Sequence, residues 1–343
     1  MSDFPSELLA HGIISAETLR WFAPLWAWEE REARDLEEEA RFFIDWEAGG
    51  SPDDAEQAPG GGIEGAGHGG QCAVLHLGGH RVEYCRERSS TAHGDAIWAA
   101  SVSAALHVRA ALAEGRWPDA GGGRGLADVR FLELGAGIGI PSLFLAHALG
   151  DAASHARPAR PGAGEKQIFV SDIRAYHNLK QLLRSVSRHP HRALIKVVPH
   201  TWGEACSGRE GESDDEPAGQ GPASPRGSGF IAAECGGRRF DVVLASDCIY
   251  NPAYHDALLQ SIARALARPS GRAVVTFSLH ANTAPANVYA FFDAERLAEH
   301  GLASAHVRTE DMEDAMRELG LFRSNMSGRW VVHIHELAWI AAH

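Results

Sequence analysis

Short apolar runs alternate with longer helical stretches over most of the chain after residue 128. Runs of strand length occupy residues 129–134, 168–172, 194–198, 240–246, 272–279, 303–308 and 330–339. Residues 141–149, 175–187, 254–266 and 286–300 carry the apolar spacing of helices. Such alternation predicts an α/β fold, in which helices cover both faces of a mostly parallel sheet. We therefore predict a Rossmann-like, doubly wound, seven-stranded sheet that binds ligands at the carboxyl ends of its strands.

The N-terminal part has a different pattern. Residues 16–46 are typical of a helix, and the charged run at 29–39 is interpreted as its solvated face. Residues 48–70 are rich in glycine, proline and acids, which predicts a flexible linker. Similar composition at about 151–165 and 205–229 predicts flexible loop insertions. The predicted organisation is a helical extension (1–47), a linker (48–70) and one α/β domain (71–343).

Charge and hydropathy narrow the function classes. The 343 residues carry a formal net charge of −13, which disfavours nucleic-acid binding through phosphates and suits a basic macromolecular partner better. We find neither a secretory signal at the start nor a run long enough to span a membrane. We therefore expect a cytoplasmic protein, with the nucleus as the alternative location. A monomer is the default expectation and does not follow from these features.

Cysteine and histidine positions indicate no metal site. The five cysteines form no C-x-x-C pair and no zinc-type spacing with the 19 histidines, which are scattered. An odd number of cysteines without a disulfide framework indicates a reducing compartment. We predict that the protein binds no metal.

The segment 131–142, F-L-E-L-G-A-G-I-G-I-P-S, passes from a predicted strand into a predicted helix. Gly135, Gly137 and Gly139 allow the backbone to bend sharply and to approach a ligand closely. Their spacing is G-x-G-x-G, not the G-x-G-x-x-G of dinucleotide folds, and Glu133 precedes the first glycine by two residues. An acid there suits a ligand with a cationic amino-acid end and suits a pyrophosphate badly. The alternative is a tight turn without a ligand.

Acidic residues also follow two other predicted strands. Asp172 ends the second strand, where an acid can accept hydrogen bonds from both hydroxyls of a ribose. Alternatively, it caps the next helix. Asp247 and Tyr250 come directly after the strand at 240–246. We predict that both take part in catalysis, with a simple turn as the alternative for Asp247.

Together these motifs resemble methyltransferase family 16, whose members are seven-strand, S-adenosylmethionine-dependent (class I) methyltransferases and include many protein-lysine methyltransferases. The resemblance rests on E-L-G-A-G-x-G-x-P-S at 133–142, on the acid ending the second strand and on D-x-x-Y at 247–250. Within the family, the chain is most similar to the group that methylates the N-terminal amine and a lysine of elongation factor 1-alpha. Four further segments carry this likeness: G-D-A-I-W at 94–98, T-W-G at 201–203, S-D, N-P and H within 246–255, and H-E-L-A-W at 335–339.

The resemblance implies S-adenosylmethionine as the cofactor. Trp98 would pack against it, the glycine turn would cradle its methionine part and Asp172 would hold its ribose. Trp202 and Ser246 would line the adenine pocket, although both tryptophans could instead belong to the hydrophobic core. The full set of predicted cofactor-binding residues is Trp98, Glu133, Gly135, Ala136, Gly137, Gly139, Asp172, Trp202 and Ser246.

The expected reaction is methyl transfer to a nitrogen of another protein. The enzyme has to align the reactants and to supply a neutral amine. Deprotonation at pH 7 costs about 4.6 kcal/mol for a lysine and about 1.4 kcal/mol for an α-amino group. We predict that Asp247 orients or relieves the incoming ammonium and that Tyr250 walls the acceptor channel.

Elongation factor 1-alpha is the protein substrate that the resemblance suggests. Three alternatives remain open at this point. They are a small-molecule amine methyltransferase acting on nicotinamide or a similar amine, an NAD-binding oxidoreductase, and a cofactor-binding protein without turnover.

Overall fold

The computed structural model describes residues 4–47, 71–86, 96–116, 128–155, 166–203, 234–280, 283–322 and 330–341. The predicted linker 48–70 and insertion 205–229 lie outside these residues. So does most of the other predicted insertion, whose first residues, 151–155, end a helix.

The strands and helices follow in chain order. The strands are β1 (Gln71–Leu77), β2 (His80–Arg86), β3 (Phe131–Leu134), β4 (Ile168–Asp172), β5 (Ile195–Pro199), β6 (Val242–Ser246), β7 (Arg272–Ser278), β8 (Leu302–Asp311) and β9 (Val331–Trp339). The helices are α1 (Phe4–Ala10), α2 (Ala16–Glu47), α3 (Ala99–Ala113), α4 (Ile140–His155), α5 (Tyr176–Arg188), α6 (His255–Ala265), α7 (Pro285–Tyr289), α8 (Ala294–Glu299) and α9 (Glu313–Glu318).

Seven of the described strands form one sheet in the order β5-β4-β3-β6-β7-β9-β8. The neighbours from β5 to β7 are parallel, whereas β9 runs antiparallel to both β7 and β8. The predicted doubly wound, mostly parallel α/β sheet is confirmed. The chain moves outward in one direction through β3, β4 and β5 and then starts again at β6, so the order reverses between β3 and β6. Ligands of such sheets bind at this reversal.

The two faces of the sheet lie against separate hydrophobic clusters. In β3, Phe131 belongs to one cluster, and Leu132 and Leu134 belong to the other. Successive strand residues point to opposite faces, so Glu133 shares the face of Phe131. That face is covered by α4, and Glu133 accordingly meets the first turn of α4.

Two regions before the sheet contain elements that the sequence did not predict. One is the antiparallel hairpin of β1 and β2, in which Cys72 lies opposite Cys85 and forms a disulfide with it. The odd cysteine count had pointed away from such a bridge. The other is α3, which contacts β7 through a hydrogen bond from Thr276 Oγ1 to the Ala100 carbonyl oxygen, at 2.8 Å.

The single helix predicted at 286–300 is wrong. The structure has α7, a 3-10 turn at Ala290–Phe292 and then α8. Asp293 interrupts the helix because its backbone is not helical, with φ of −54° and ψ of 128°. Its side chain accepts hydrogen bonds from Glu295 N and Arg296 N and so caps α8.

The N-terminal helices share the main hydrophobic core. Leu8, Ile13 and Phe22 are buried in the cluster that also contains β3 residues. The Ile13 carbonyl oxygen accepts a hydrogen bond of 2.8 Å from Val197 N, so this segment covers part of the edge strand β5. Among the described residues, no helix is both long and apolar enough to cross a membrane.

Candidate functional site

A cavity of about 580 Å³ opens at the carboxyl ends of β3, β4 and β6. It lies at the reversal of strand order, where an α/β sheet is expected to bind its ligand. Every residue predicted to bind the cofactor or to take part in catalysis lines it: Trp98, Glu133, Gly135, Ala136, Gly137, Gly139, Asp172, Trp202, Ser246, Asp247 and Tyr250. The fold thus brings these separate segments to one place, while their individual roles remain predictions.

The glycine turn between β3 and α4 requires its glycines. Gly135, Gly137 and Gly139 have φ angles of 65°, 55° and 81°, in the left-handed region that side chains disfavour. A Cβ on Gly135 would lie 2.7 Å from Cζ2 of Trp202. The turn is therefore tight, and its backbone also forms a wall of the cavity.

Glu133 places a buried carboxyl group at the back of the cavity. Its Oε2 accepts hydrogen bonds from Ser142 Oγ and from Ser142 N, the latter at 3.1 Å, near the start of α4. Burial raises the pKa of Glu133 to about 7; the Ser142 hydrogen bonds lower it, and the nearby Asp172 carboxylate raises it. A cation in the cavity would favour the charged form of this group.

Asp172 organises the turn from the next strand. Its Oδ2 accepts from Gly137 N at 2.7 Å, and its Oδ1 accepts from Ile173 N and from Asn178 Nδ2. Burial raises the pKa of Asp172, and these hydrogen bonds lower it in part. The capping alternative is not what the structure has, because the residue at the cap of α5 is Ala175.

Asp247 has an unusual backbone conformation directly after β6. Its φ of 57° makes it the one non-glycine residue with positive φ among the residues that the structure describes. Its Oδ1 accepts a hydrogen bond of 3.2 Å from the N of Ser278, the last residue of β7. The same oxygen lies 3.0 Å from Nε2 of His280, two residues beyond that strand. Left-handed non-glycine residues at a site are held there by their surroundings, and these contacts hold Asp247.

The remaining predicted residues form the walls. Trp98 and Trp202 are only half-buried and border the cavity, so neither is an enclosed core residue. Ser246 Oγ is buried and has no hydrogen-bond partner among the described residues. Tyr250 is 41% exposed at the cavity lining, and partial burial raises the pKa of its phenol.

Acidic side chains dominate the charge of the cavity lining. Glu133, Asp172 and Asp247 line it, and its described lining contains no lysine or arginine. The thiol of Cys248 is also in the wall, and burial raises its pKa well above the usual range, so it remains protonated. The cavity is therefore suited to a cationic ligand.

The sequence did not lead us to predict several of the residues that line the cavity. His280, Asn178, Cys248 and Tyr254 all face the cavity. The signal for His280 was present, because it lies two residues beyond β7, at the same edge of the sheet as Asp172 and Asp247. No group of three or more His, Cys, Asp or Glu side chains in the described parts of the chain is arranged to hold a metal ion.

Comparison with known proteins gives fold-level likenesses. No family model and no curated protein sequence matches this chain. Among solved structures, the CcbJ methyltransferase from Streptomyces caelestis is 15% identical, with a TM-score of 0.38 over 68% of this chain and 89% of that one. The glycopeptide N-methyltransferase MtfA, complexed with S-adenosylmethionine, is 13% identical, with a TM-score of 0.38 over 74% of this chain and 100% of that one. The magnesium protoporphyrin IX methyltransferase from Synechocystis, with bound S-adenosylhomocysteine, is 13% identical, with a TM-score of 0.36 over 71% and 84% of the two chains. Likenesses this distant assign neither a substrate nor a reaction, which have to come from the residues of this chain.

Proposed function

We propose that this chain is an S-adenosylmethionine-dependent N-methyltransferase that acts on an amine of a protein. The observation that carries the proposal is the charge of the cavity, with carboxyl groups at the ends of β3, β4 and β6 and no basic side chain in its described lining apart from histidines. A sulfonium and an α-ammonium group are both cations and complement such a cavity. The pyrophosphate of NAD would lack the positive partners it needs.

Other atoms of the cavity support the same ligand. Ser246 Oγ is a buried hydroxyl for which a ligand would supply a partner. Asp172 Oδ2 accepts one hydrogen bond, from Gly137 N, and keeps capacity for a ribose hydroxyl. Trp98 and Trp202 offer aromatic surface for the adenine and the remaining apolar parts.

When bound, S-adenosylmethionine supplies a methyl group that its sulfonium already activates. The protein then has to hold an amine in line and remove its proton. Asp247 and Tyr250 are the residues proposed to hold the amine, with Asp247 facing the ammonium and Tyr250 lining its path.

The exposed residues at the rim of the cavity favour a protein as the acceptor of the methyl group. Ile173, Tyr250 and Tyr254 line the cavity and are 52%, 41% and 54% exposed. Exposed apolar and aromatic side chains around a pocket are typical of surfaces that receive another macromolecule. Elongation factor 1-alpha, suggested by the sequence resemblance, is the first acceptor to test.

Calorimetric titration tests the cofactor. S-Adenosylhomocysteine should bind to the full chain, and NAD should not. Asp172→Ala should weaken this binding, whereas Asp256→Ala, whose side chain is 69% exposed on α6, should leave it unchanged. Binding of NAD in place of S-adenosylhomocysteine would overturn the proposal.

Transfer from tritium-labelled S-adenosylmethionine tests the acceptor. Label should appear in protein bands when the enzyme is mixed with purified elongation factor 1-alpha or with a lysate lacking its native methylation. Label confined to small metabolites would favour a small-molecule amine as substrate. Binding without any transfer would favour a non-catalytic cofactor-binding protein.

A further inference from the structure

His280 and Asp247 form a hydrogen-bonded pair inside the cavity. His280 Nε2 lies 3.0 Å from Asp247 Oδ1, and their side chains are 11% and 6% exposed. The two residues follow neighbouring parallel strands, β7 and β6. Both belong to the lining of the cavity, so the pair borders the space for the ligand and the acceptor.

The pair is held from several sides. The Asp247 backbone N donates to the Thr276 carbonyl oxygen at 2.7 Å, and Ser278 N donates to the same Oδ1 that contacts the histidine. The imidazole of His280 meets the Trp98 ring edge-on, with centroids 5.2 Å apart. The ring is thereby fixed between a carboxylate and an aromatic wall.

The geometry determines which ring nitrogen carries the proton. A carboxylate can only accept, so Nε2 of His280 must be the donor in the 3.0 Å contact. A neutral imidazole carries one N–H, and this leaves Nδ1 without a proton. His280 is therefore arranged to accept a proton at Nδ1, and Asp247 stabilises the imidazolium that results.

Four other titratable groups in the wall are less available to accept this proton. Tyr250 and Cys248 have raised pKa values and stay protonated, so neither can accept a further proton near neutral pH. Glu133 is 1% exposed, and its Oε2 is held by Ser142. The second imidazole in the wall, His200, is 2% exposed, with its Nδ1 buried and Nε2 bonded to Ser261.

We propose that His280 is the general base that deprotonates the acceptor amine, with Asp247 as its positioning residue. This inference rests on the proposed N-methyltransferase function and assigns its proton acceptor. The ammonium of the acceptor gives one proton to Nδ1 of His280 and becomes a neutral amine. Its lone pair then forms the bond to the methyl carbon as the carbon–sulfur bond breaks, and the electron pair of that bond stays on sulfur. The imidazolium returns its proton to solvent after the product leaves.

Nitrogen NMR of the full chain, labelled at histidine and free of cofactor, tests the pair without any turnover. The signals of His280 are assigned by their absence in His280→Ala. At about pH 8 we expect Nε2 protonated and Nδ1 unprotonated. The opposite tautomer would overturn the proposal, since Nδ1 would have no capacity for a proton.

Transfer of tritium from S-adenosylmethionine to lysate protein tests the catalytic role. We expect His280→Ala to slow transfer about 100-fold and added imidazole to restore part of the rate. His306→Ala, which removes an exposed histidine on β8 outside the cavity lining, should transfer at the wild-type rate. Retained binding of S-adenosylhomocysteine shows that His280→Ala is folded.

The outcomes separate the two proposals. Full activity in His280→Ala, or a loss that imidazole does not rescue, overturns the role of His280 and leaves the N-methyltransferase standing. Absence of transfer by the wild-type protein overturns both.

Discussion

Glu133→Gln should make the protein more stable and should weaken its binding of the ligand. Glu133 is 1% exposed, and burial raises its pKa to about 7. Glutamine has the same shape, and its side-chain oxygen can still accept from Ser142 N and Oγ. The substitution therefore removes a charge while it keeps the local hydrogen bonds.

The magnitude follows from the pKa. The folded-state pKa of about 7 lies above the ordinary value of 4.5, so the folded state favours the protonated carboxyl. The resulting stability is complete below the unfolded-state pKa and is lost as pH rises through about 7. The difference between these two pKa values corresponds to about 3 kcal/mol. Glutamine does not titrate, so the variant should be more stable than wild type by up to about 3 kcal/mol near pH 8 and by less than about 1 kcal/mol near pH 5.

Urea denaturation of the cofactor-free proteins at these two pH values measures the difference. Glu299→Gln is the matched control, because Glu299 is exposed at the end of α8 and should give no pH-dependent change. A Glu133→Gln protein that is less stable than wild type near pH 8, or whose advantage does not change with pH, would refute the reasoning.

Ligand binding should change in the opposite direction. If the charged Glu133 complements a cation, S-adenosylmethionine should bind wild type more tightly as pH rises through about 7, and this rise should disappear in Glu133→Gln. Calorimetry at both pH values measures it. A pH-independent affinity in wild type would show that Glu133 does not act on the ligand through its charge.

Three further variants test the residues that support the site and the fold around it. Gly135→Ala places a methyl group 2.7 Å from the tryptophan ring that covers the turn; we expect a loss of about 1–3 kcal/mol in urea denaturation and weaker S-adenosylhomocysteine binding, and unchanged affinity would argue against this contact. Glu29→Gln removes the carboxylate paired with Lys180, whose side chain is 5% exposed. The free energy of unfolding should fall by about 2 kcal/mol. Wild-type stability in this variant would show that the contact between α2 and α5 does not stabilise the fold. Replacing Cys72 and Cys85 together with serine opens a disulfide of sequence separation 13; stability should fall by about 3 kcal/mol, and a melting temperature unaffected by reductant in wild type would contradict this.

The sheet and most of the cavity were predictable from the sequence because both depend on strand ends. The strands β3, β4 and β6 are short, mostly apolar segments; a glycine turn follows β3, Asp172 ends β4 and Asp247 follows β6. Parallel strands present their carboxyl ends at one edge of the sheet, so residues such as Asp172 and Asp247 were expected at the same edge. Predicting the cavity did not require knowing how these side chains are oriented.

One missed element, α3, lacks a periodic signal. α3 is rich in alanine and apolar on nearly all sides, with Ala100, Val102 and Ala105 among its fully buried residues. Such a helix shows no amphipathic pattern, because it is enclosed rather than laid on a surface. The break at Asp293 was missed for a related reason, since a cap inside an otherwise helical stretch is decided by one local hydrogen-bonding residue.

The acids of the cavity all carry features that a fold selected for stability alone would avoid. Glu133 and Asp172 have raised pKa values, and Asp247 has a left-handed backbone. Each such feature opposes folding, by about 1–3 kcal/mol for a strained backbone. A cation bound among them relieves the charge repulsion and contributes stability in proportion to the logarithm of its concentration over its dissociation constant. The charge of the cavity, more than the shape of the fold, is therefore what supports the proposal of a cationic ligand at these strand ends.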